Sequence, residues 1–227
     1  RREGFEPVFA AQSRTRDDSK RDFTKHMLRL RHRGQDVAKV GDEAFEIVLI
    51  NANDGSSAYK MLPGVFRLVC LNGLMVGDTY DEVKVRHSGD AIGEVIEGAY
   101  RVLNEAPRVG EQVQTFKALQ LTSPERQAFA EAAHVLRFPD AEPERVPVQP
   151  AALLRPRRYQ DGANDLWTTF NVAQENVIRG GMRGRVTASD GSRRNASVRE
   201  VNGIDQNRAL NRALWTLAER MAEIKAA

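Results

Sequence analysis

Lys25-His26-Met27-Leu28-Arg29-Leu30-Arg31-His32-Arg33 is the stretch whose reading decides the fold class. Its side chains alternate with period two, the signature of a β-strand with two unlike faces. His26, Leu28, Leu30 and His32 share one face, and Lys25, Met27, Arg29, Arg31 and Arg33 share the other. The second face is read as the outer one, with cations two strand rises apart, about 6.6 Å. That step is near the spacing of phosphates along an extended nucleic-acid backbone. An edge strand charged against aggregation accounts for the same pattern equally well.

Before this strand, residues 1–22 mix charges with few apolar anchors and are expected to be weakly ordered. After it, Phe45–Asn51 reads as a second strand. Asp54-Gly55 supplies a turn, because this pair tolerates positive φ. Ser57–Leu62 returns as a third strand and is expected to stop at Pro63-Gly64. Val65–Val76 is almost wholly apolar and buried, with a hairpin through Asn72-Gly73 or a short helix both open. Val83–His87 is a further short strand.

Helical spacing then takes over. Ala91–Leu103 carries Ile92, Val95, Ile96, Ala99 and Val102 as one stripe, and Glu111–Leu121 continues the pattern. Ser123-Pro124-Glu125 is a start signal for a helix ending near Phe138. Residues 139–158 hold five prolines and form an extended linker or an ordered strap. Asn164-Asp165 caps a helix that stops at Gly180-Gly181. Ile204-Asp205 opens the last one, where Asn207-Arg208-Ala209-Leu210 repeats as Asn211-Arg212-Ala213-Leu214 with its leucines toward the core. Trp167 and Trp215 are expected as core or interface anchors.

The fold class is therefore α+β. A small antiparallel sheet in the N-terminal half packs with helices. A Pro-rich strap and two C-terminal helices joined by an Arg/Gly-rich hairpin follow. The expected divisions are a weakly ordered segment 1–22, a core 23–138, a linker or strap 139–160 and a helical unit 161–227 that packs on the core.

The chain has 227 residues and a formal net charge of +3. The charge is uneven: Lys+Arg against Asp+Glu is 11 to 6 over residues 1–41, 10 to 17 over 42–150 and 13 to 8 over 151–227. Basic ends around an acidic middle point to a polyanion partner for the ends. The single cysteine, Cys70, excludes an internal disulfide and suits a reducing compartment. No apolar run approaches the roughly 20 residues that span a bilayer, so no membrane partner is expected.

No constellation for catalysis emerges, so no enzyme activity is expected. The phosphate loop GxxxxGK[ST] and a GxGxxG after a strand are both missing. His26, His32, His87 and His134 lack metal-ligand spacing. His87 near Asp90 reads as a structural histidine, and Cys70, in an apolar run, as a quiet core thiol. Asp81-Glu82 reads as a solvated acidic face. Gln174-Glu175-Asn176 hydrogen-bonds either a partner or a neighbouring element. Neither a metal nor a cofactor is expected.

What remains is binding. Arg179, Arg183, Arg185, Arg193 and Arg194 lie on a ribbon turning at Asp190-Gly191, and guanidinium groups grip phosphates by paired hydrogen bonds. Gly180, Gly181 and Gly184 are expected to let the backbone approach closely. Arg29, Arg31 and Arg33 supply a second track. Tyr159, beside Arg157 and Arg158, offers a stacking face for a base.

Several strings are similar to a known family. They are Asn-Asp-Gly-Ser-Ser-Ala (53–58), Phe-Arg-Leu-Val-Cys-Leu-Asn-Gly-Leu (66–74), Val-Arg-His (85–87), Leu-Trp-Thr-Thr-Phe-Asn (166–171), Gln-Glu-Asn-Val-Ile-Arg-Gly-Gly (174–181) and Asn-Arg-Ala-Leu-Trp-Thr-Leu-Ala-Glu (211–219). From about residue 45 onward the chain resembles the phage- and plasmid-associated family filed as domain of unknown function 932. The resemblance implies the cytoplasm of a bacterial host and a setting in DNA metabolism, and it carries over no catalytic residues. The leading expectation is a homo-oligomeric protein that binds single-stranded DNA, an annealing factor of a phage or plasmid recombination system. The alternative is a protein-interaction module whose acidic middle mimics DNA before a host defence nuclease. An enzyme with an unrecognised site is the third reading.

Overall fold

The structure is a computed structural model. It describes residues 3–13, 15, 17–33, 39–40, 43–52, 58–67, 73–75, 82–86 and 89–226. The expectations for Asp54-Gly55, Cys70, Asn72, Asp81 and His87 lie outside the described residues. The fold is α+β. It divides into two compact units, Arg1–Val113 with Gly203–Arg208, and Gln114–Asn202 with Ala209–Ala227. The division falls inside a helix, not at the expected 138/139 boundary beside the prolines.

The first unit is built on an antiparallel sheet. Its strands are β1 (Phe5–Gln12), β2 (His26–His32), β3 (Lys39–Val40), β4 (Glu43–Asn51), β5 (Tyr59–Arg67), β6 (Gly73–Met75) and β7 (Val83–Val85). The order is β1-β2-β4-β5-β6, with β3 also on β4 and β7 also on β5. Within the segment 1–22, expected to be weakly ordered, Phe5–Gln12 is in fact an edge strand, since β1 pairs with β2 from Phe5↔His32 to Gln12↔His26.

β5 runs straight through Pro63-Gly64, correcting the expected stop. β7 pairs with Tyr59–Met61 and β6 with Gly64–Phe66, so Leu62 and Pro63 fall in the gap between them. A proline without an N–H donor is tolerated where that side of the ladder is unpartnered. β6 pairs antiparallel with β5, with Gly73 opposite Phe66, so Gly73 is a strand residue and not part of the expected Asn72-Gly73 turn.

Helix α1 (Ala91–Leu103) begins at Asp90, whose side chain accepts the Gly93 N–H at 3.0 Å. Gly98 lets α1 close on Met61 and Val83, whose side-chain atoms lie where a Cβ would stand. On the opposite face of the sheet, Val48, Ile50 and Leu62 bury against Ile204, with Met27 packed beside them.

The second unit is helical. α2 (Ala106–Ala118) and α5 (Ile204–Ala226) each contribute to both units. α3 (Ser123–Arg137) starts one residue earlier than expected. Thr122 is the cap, and its hydroxyl and the Glu125 carboxylate form a reciprocal capping box. α4 (Leu166–Arg179) is capped by Asp165, which accepts the Thr168 N–H at 2.8 Å. Phe116, Phe129, Trp167, Phe170 and Trp215 form one aromatic cluster with centroids 5.4–6.5 Å apart. Both tryptophans are core anchors, as expected. The Pro-rich segment is an ordered strap: it forms short 3-10 turns and buries Val146, Val148 and Leu153.

Candidate nucleic-acid interface

The ribbon folds as a two-stranded hairpin, β8 (Arg183–Thr187) and β9 (Arg193–Ser197). The expected turn is present. Gly191 N–H donates to the Ala188 carbonyl at 2.9 Å, and Gly191 adopts φ +79°, closing a three-residue loop. Asp190 accepts the Ser192 hydroxyl at 2.6 Å and its N–H at 2.9 Å. These bonds, the hydroxyl one first, hold the Asp190 carboxyl below its usual range.

Strand register sorts the side chains into two faces. The cross-strand partners are Arg183↔Ser197, Gly184↔Ala196, Arg185↔Asn195, Val186↔Arg194 and Thr187↔Arg193. Alternation places Arg183, Arg185, Thr187, Arg193, Asn195 and Ser197 on one face. Gly184, Val186, Arg194 and Ala196 take the other. The hairpin meets the strap through Gly184, whose Cβ position would lie 1.5 Å from the Pro147 carbonyl oxygen. Val146, Val148 and Val198 form a small core there, with Met182 packed against it. Gly184 therefore admits the strap, not a phosphate. Gly180 and Gly181, both at positive φ, serve the exit from α4.

Arg183, Arg185, Arg193 and Arg194 are exposed, and no carboxylate or hydrogen-bond acceptor among the described residues pairs with them. A shallow groove of about 510 Å3 runs along Arg183, Arg185, Asn195 and Ser197. A second groove, of about 520 Å3, lies between Arg185, Arg193 and the strap, and Glu144 lines it.

The other expected cations are engaged within the protein. Arg29 and Arg31 correct the outer-face reading of β2. The strand is interior, and this face packs with Val48 and Ile50. Arg29 is 7% exposed. Its Nε donates to Glu46 Oε2 at 2.6 Å, and Arg31 Nη2 donates to Glu46 Oε1 at 2.6 Å. The Glu46 side chain is fully buried between them. Phe9 caps Arg29, its ring centroid 5.1 Å from the guanidinium. Arg33 is exposed but paired with Glu6, whose carboxylate raises the guanidinium pKa.

In the second unit, Arg157 donates to Asn176 Oδ1 at 2.8 Å and to the Gly180 carbonyl. Arg158 bridges Asp161 at 3.1 Å and Glu175 at 2.5 Å. Arg179 meets the same Glu175 at 2.9 Å. Gln174-Glu175-Asn176 is thus the buried network that ties α4 to its neighbours. Gln174 donates to Asn211 Oδ1 at 2.8 Å, and Asn176 donates to the Leu153 and Arg155 carbonyls. His134 bonds the Val148 carbonyl oxygen at 2.9 Å, a structural role. Tyr159 stands fully exposed.

Sequence reasoning missed Thr187, Asn195 and Ser197, the neutral neighbours of the free arginines. The Asp190-Gly191 turn together with period-two counting from it is the signal that locates them. Among the described residues no cluster of His, Cys, Asp or Glu could hold a metal ion, and no helix is long and apolar enough to cross a membrane.

An α+β protein presenting exposed arginines on a strap-braced hairpin is the class that this fold and site define. The chain belongs to the family described as Domain of unknown function (DUF932), which matches residues 1–215. It is similar to UPF0380 protein YafZ and UPF0380 protein YfjQ, both of Escherichia coli (strain K12). Each is 49% identical over 220 residues, 97% of this chain and 77% of the relative. No solved structure matches it.

Proposed function

We propose that the protein binds single-stranded DNA on the β8–β9 hairpin and serves in phage or plasmid DNA metabolism as an annealing factor that acts as a homo-oligomer. One observation carries the binding: Arg183, Arg185, Arg193 and Arg194 stand exposed, without partners among the described residues. Elsewhere in the chain, Arg29, Arg31, Arg158 and Arg179 are neutralised by buried carboxylates. Unpaired guanidiniums release counterions when they meet phosphates, which makes such binding favourable and salt-dependent. The exposed Tyr159 ring adds a surface on which a base can stack. The annealing role and its setting draw on the family resemblance alone.

Oligonucleotide binding measured across salt tests the reading. Log affinity is expected to fall linearly with log salt, with a slope of about −0.7 per phosphate neutralised on a single strand. Replacing Arg183, Arg185, Arg193 and Arg194 together with glutamine flattens that slope. An absence of binding at low salt, or an unchanged slope in the variant, rejects the reading.

A further inference from the structure

The hairpin register pairs each free arginine of one face with a neutral hydrogen-bonding residue. Arg183 stands opposite Ser197, Arg185 opposite Asn195, and Arg193 opposite Thr187. These are three successive rungs of the same face. Each is separated from the next by two antiparallel rises, about 6.8 Å. Every rung thus holds one cation and one uncharged side chain able to donate and accept. Arg194 lies off this ladder, opposite Val186 on the other face.

Resting on the single-strand reading, we infer that the hairpin is a three-nucleotide ladder, one nucleotide per rung. The nucleic-acid strand runs lengthwise along the hairpin, over β8 at the Arg183 and Arg185 rungs and crossing to β9 at the Arg193 rung. Arg183, Arg185 and Arg193 each take one phosphate. Ser197, Asn195 and Thr187 hydrogen-bond the sugar or base beside it. The rung spacing is comparable with the step between phosphates of an extended strand, whereas the backbone of a duplex curves away from a short straight ladder. Three things follow. The footprint is short, the electrostatic part of binding comes from three residues and not four, and the neutral residues set whatever preference exists among nucleotides.

Tetrathymidylate is the probe, because its three phosphodiesters match the three rungs. In an NMR titration its addition shifts the backbone amides of residues 183–187 and 193–197 and the side-chain signals of Arg183, Arg185, Arg193 and Asn195. The Arg194 side chain is unmoved. With a longer oligothymidylate, Arg183→Gln, Arg185→Gln and Arg193→Gln each reduce the salt slope by about 0.7, and Arg194→Gln leaves it unchanged. Asn195→Ala and Ser197→Ala weaken binding with no change of slope. All of these side chains are exposed, so far-ultraviolet circular dichroism matching the wild type is expected for every variant. Failure of long oligonucleotides to bind overturns both this inference and the function it rests on. Binding with shifts confined to other surfaces overturns both as well, whereas two results overturn the ladder alone: a slope loss at Arg194 equal to that at Arg185, or single arginine variants without effect.

Discussion

Gly184→Ala tests how the candidate interface is held in place. The added Cβ would lie 1.5 Å from the Pro147 oxygen and 2.6 Å from its carbonyl carbon. Both atoms are backbone, so no side chain can swing aside. Real Cβ contacts stay beyond 3.0 Å, and strap and hairpin must therefore separate by at least 1.5 Å. That movement opens the small core of Val146, Val148 and Val198. Forcing a methyl group into packed structure costs about 1–3 kcal/mol. Urea unfolding measures the loss. Amide exchange localises it, because Val198 N–H donates to Met182 and Gly181 N–H to Val198 beside the contact. The expected result is lower stability and faster exchange at those two amides. The net charge is unchanged, so any loss of oligonucleotide affinity reports geometry. Stability within about 0.5 kcal/mol of the parent, the range of a neutral surface change, together with unaltered protection would refute the reasoning.

Three further predictions concern stability. Glu46→Ala strands Arg29 and Arg31 without their shared buried carboxylate. It should cost about 3–5 kcal/mol in urea unfolding, and Arg29→Met added to it should recover part of the loss. Glu125 is held down to about 2 from 4.5, first by the Lys225 hydrogen bond and then by its bonds to Thr122. Its folded pKa is depressed, so its contribution is complete above the unfolded value and is lost as pH falls from about 4.5 toward 2. The thermal midpoint gap between wild type and Glu125→Gln should therefore close across that window, and a constant gap counts against the capping box. Trp215→Ala removes the fully buried centre of the aromatic cluster and should cost about 3–5 kcal/mol, followed by Trp167 fluorescence.

Much of the fold was legible because its signals are local. Alternation announced β2, the apolar run Phe45–Asn51 announced β4, the hydrophobic stripe announced α1, and Asp165 and Asp190-Gly191 announced a cap and a turn. The misreadings share one cause. Period two shows that β2 has two faces but not which one another element covers. β1, β4 and the first turn of α5 enclose the Arg29 face, and their contacts are set by pairings distant in sequence. Pro63 likewise looked like a stop because the gap between β6 and β7 exists only in the assembled sheet.

By itself the sequence determined the α+β class, the buried tryptophans, the hairpin turn and the wealth of arginine near both ends. Tertiary structure decided which arginines remain available. A guanidinium looks the same in a string of letters whether Glu46, seventeen residues from Arg29, neutralises it or only water surrounds it. Desolvating a charge is so costly that burial without a partner is forbidden. Chain topology, by delivering carboxylates to Arg29, Arg31, Arg158 and Arg179 and, among the described residues, none to Arg183, Arg185, Arg193 and Arg194, separated the cations that build the protein from those that face outward.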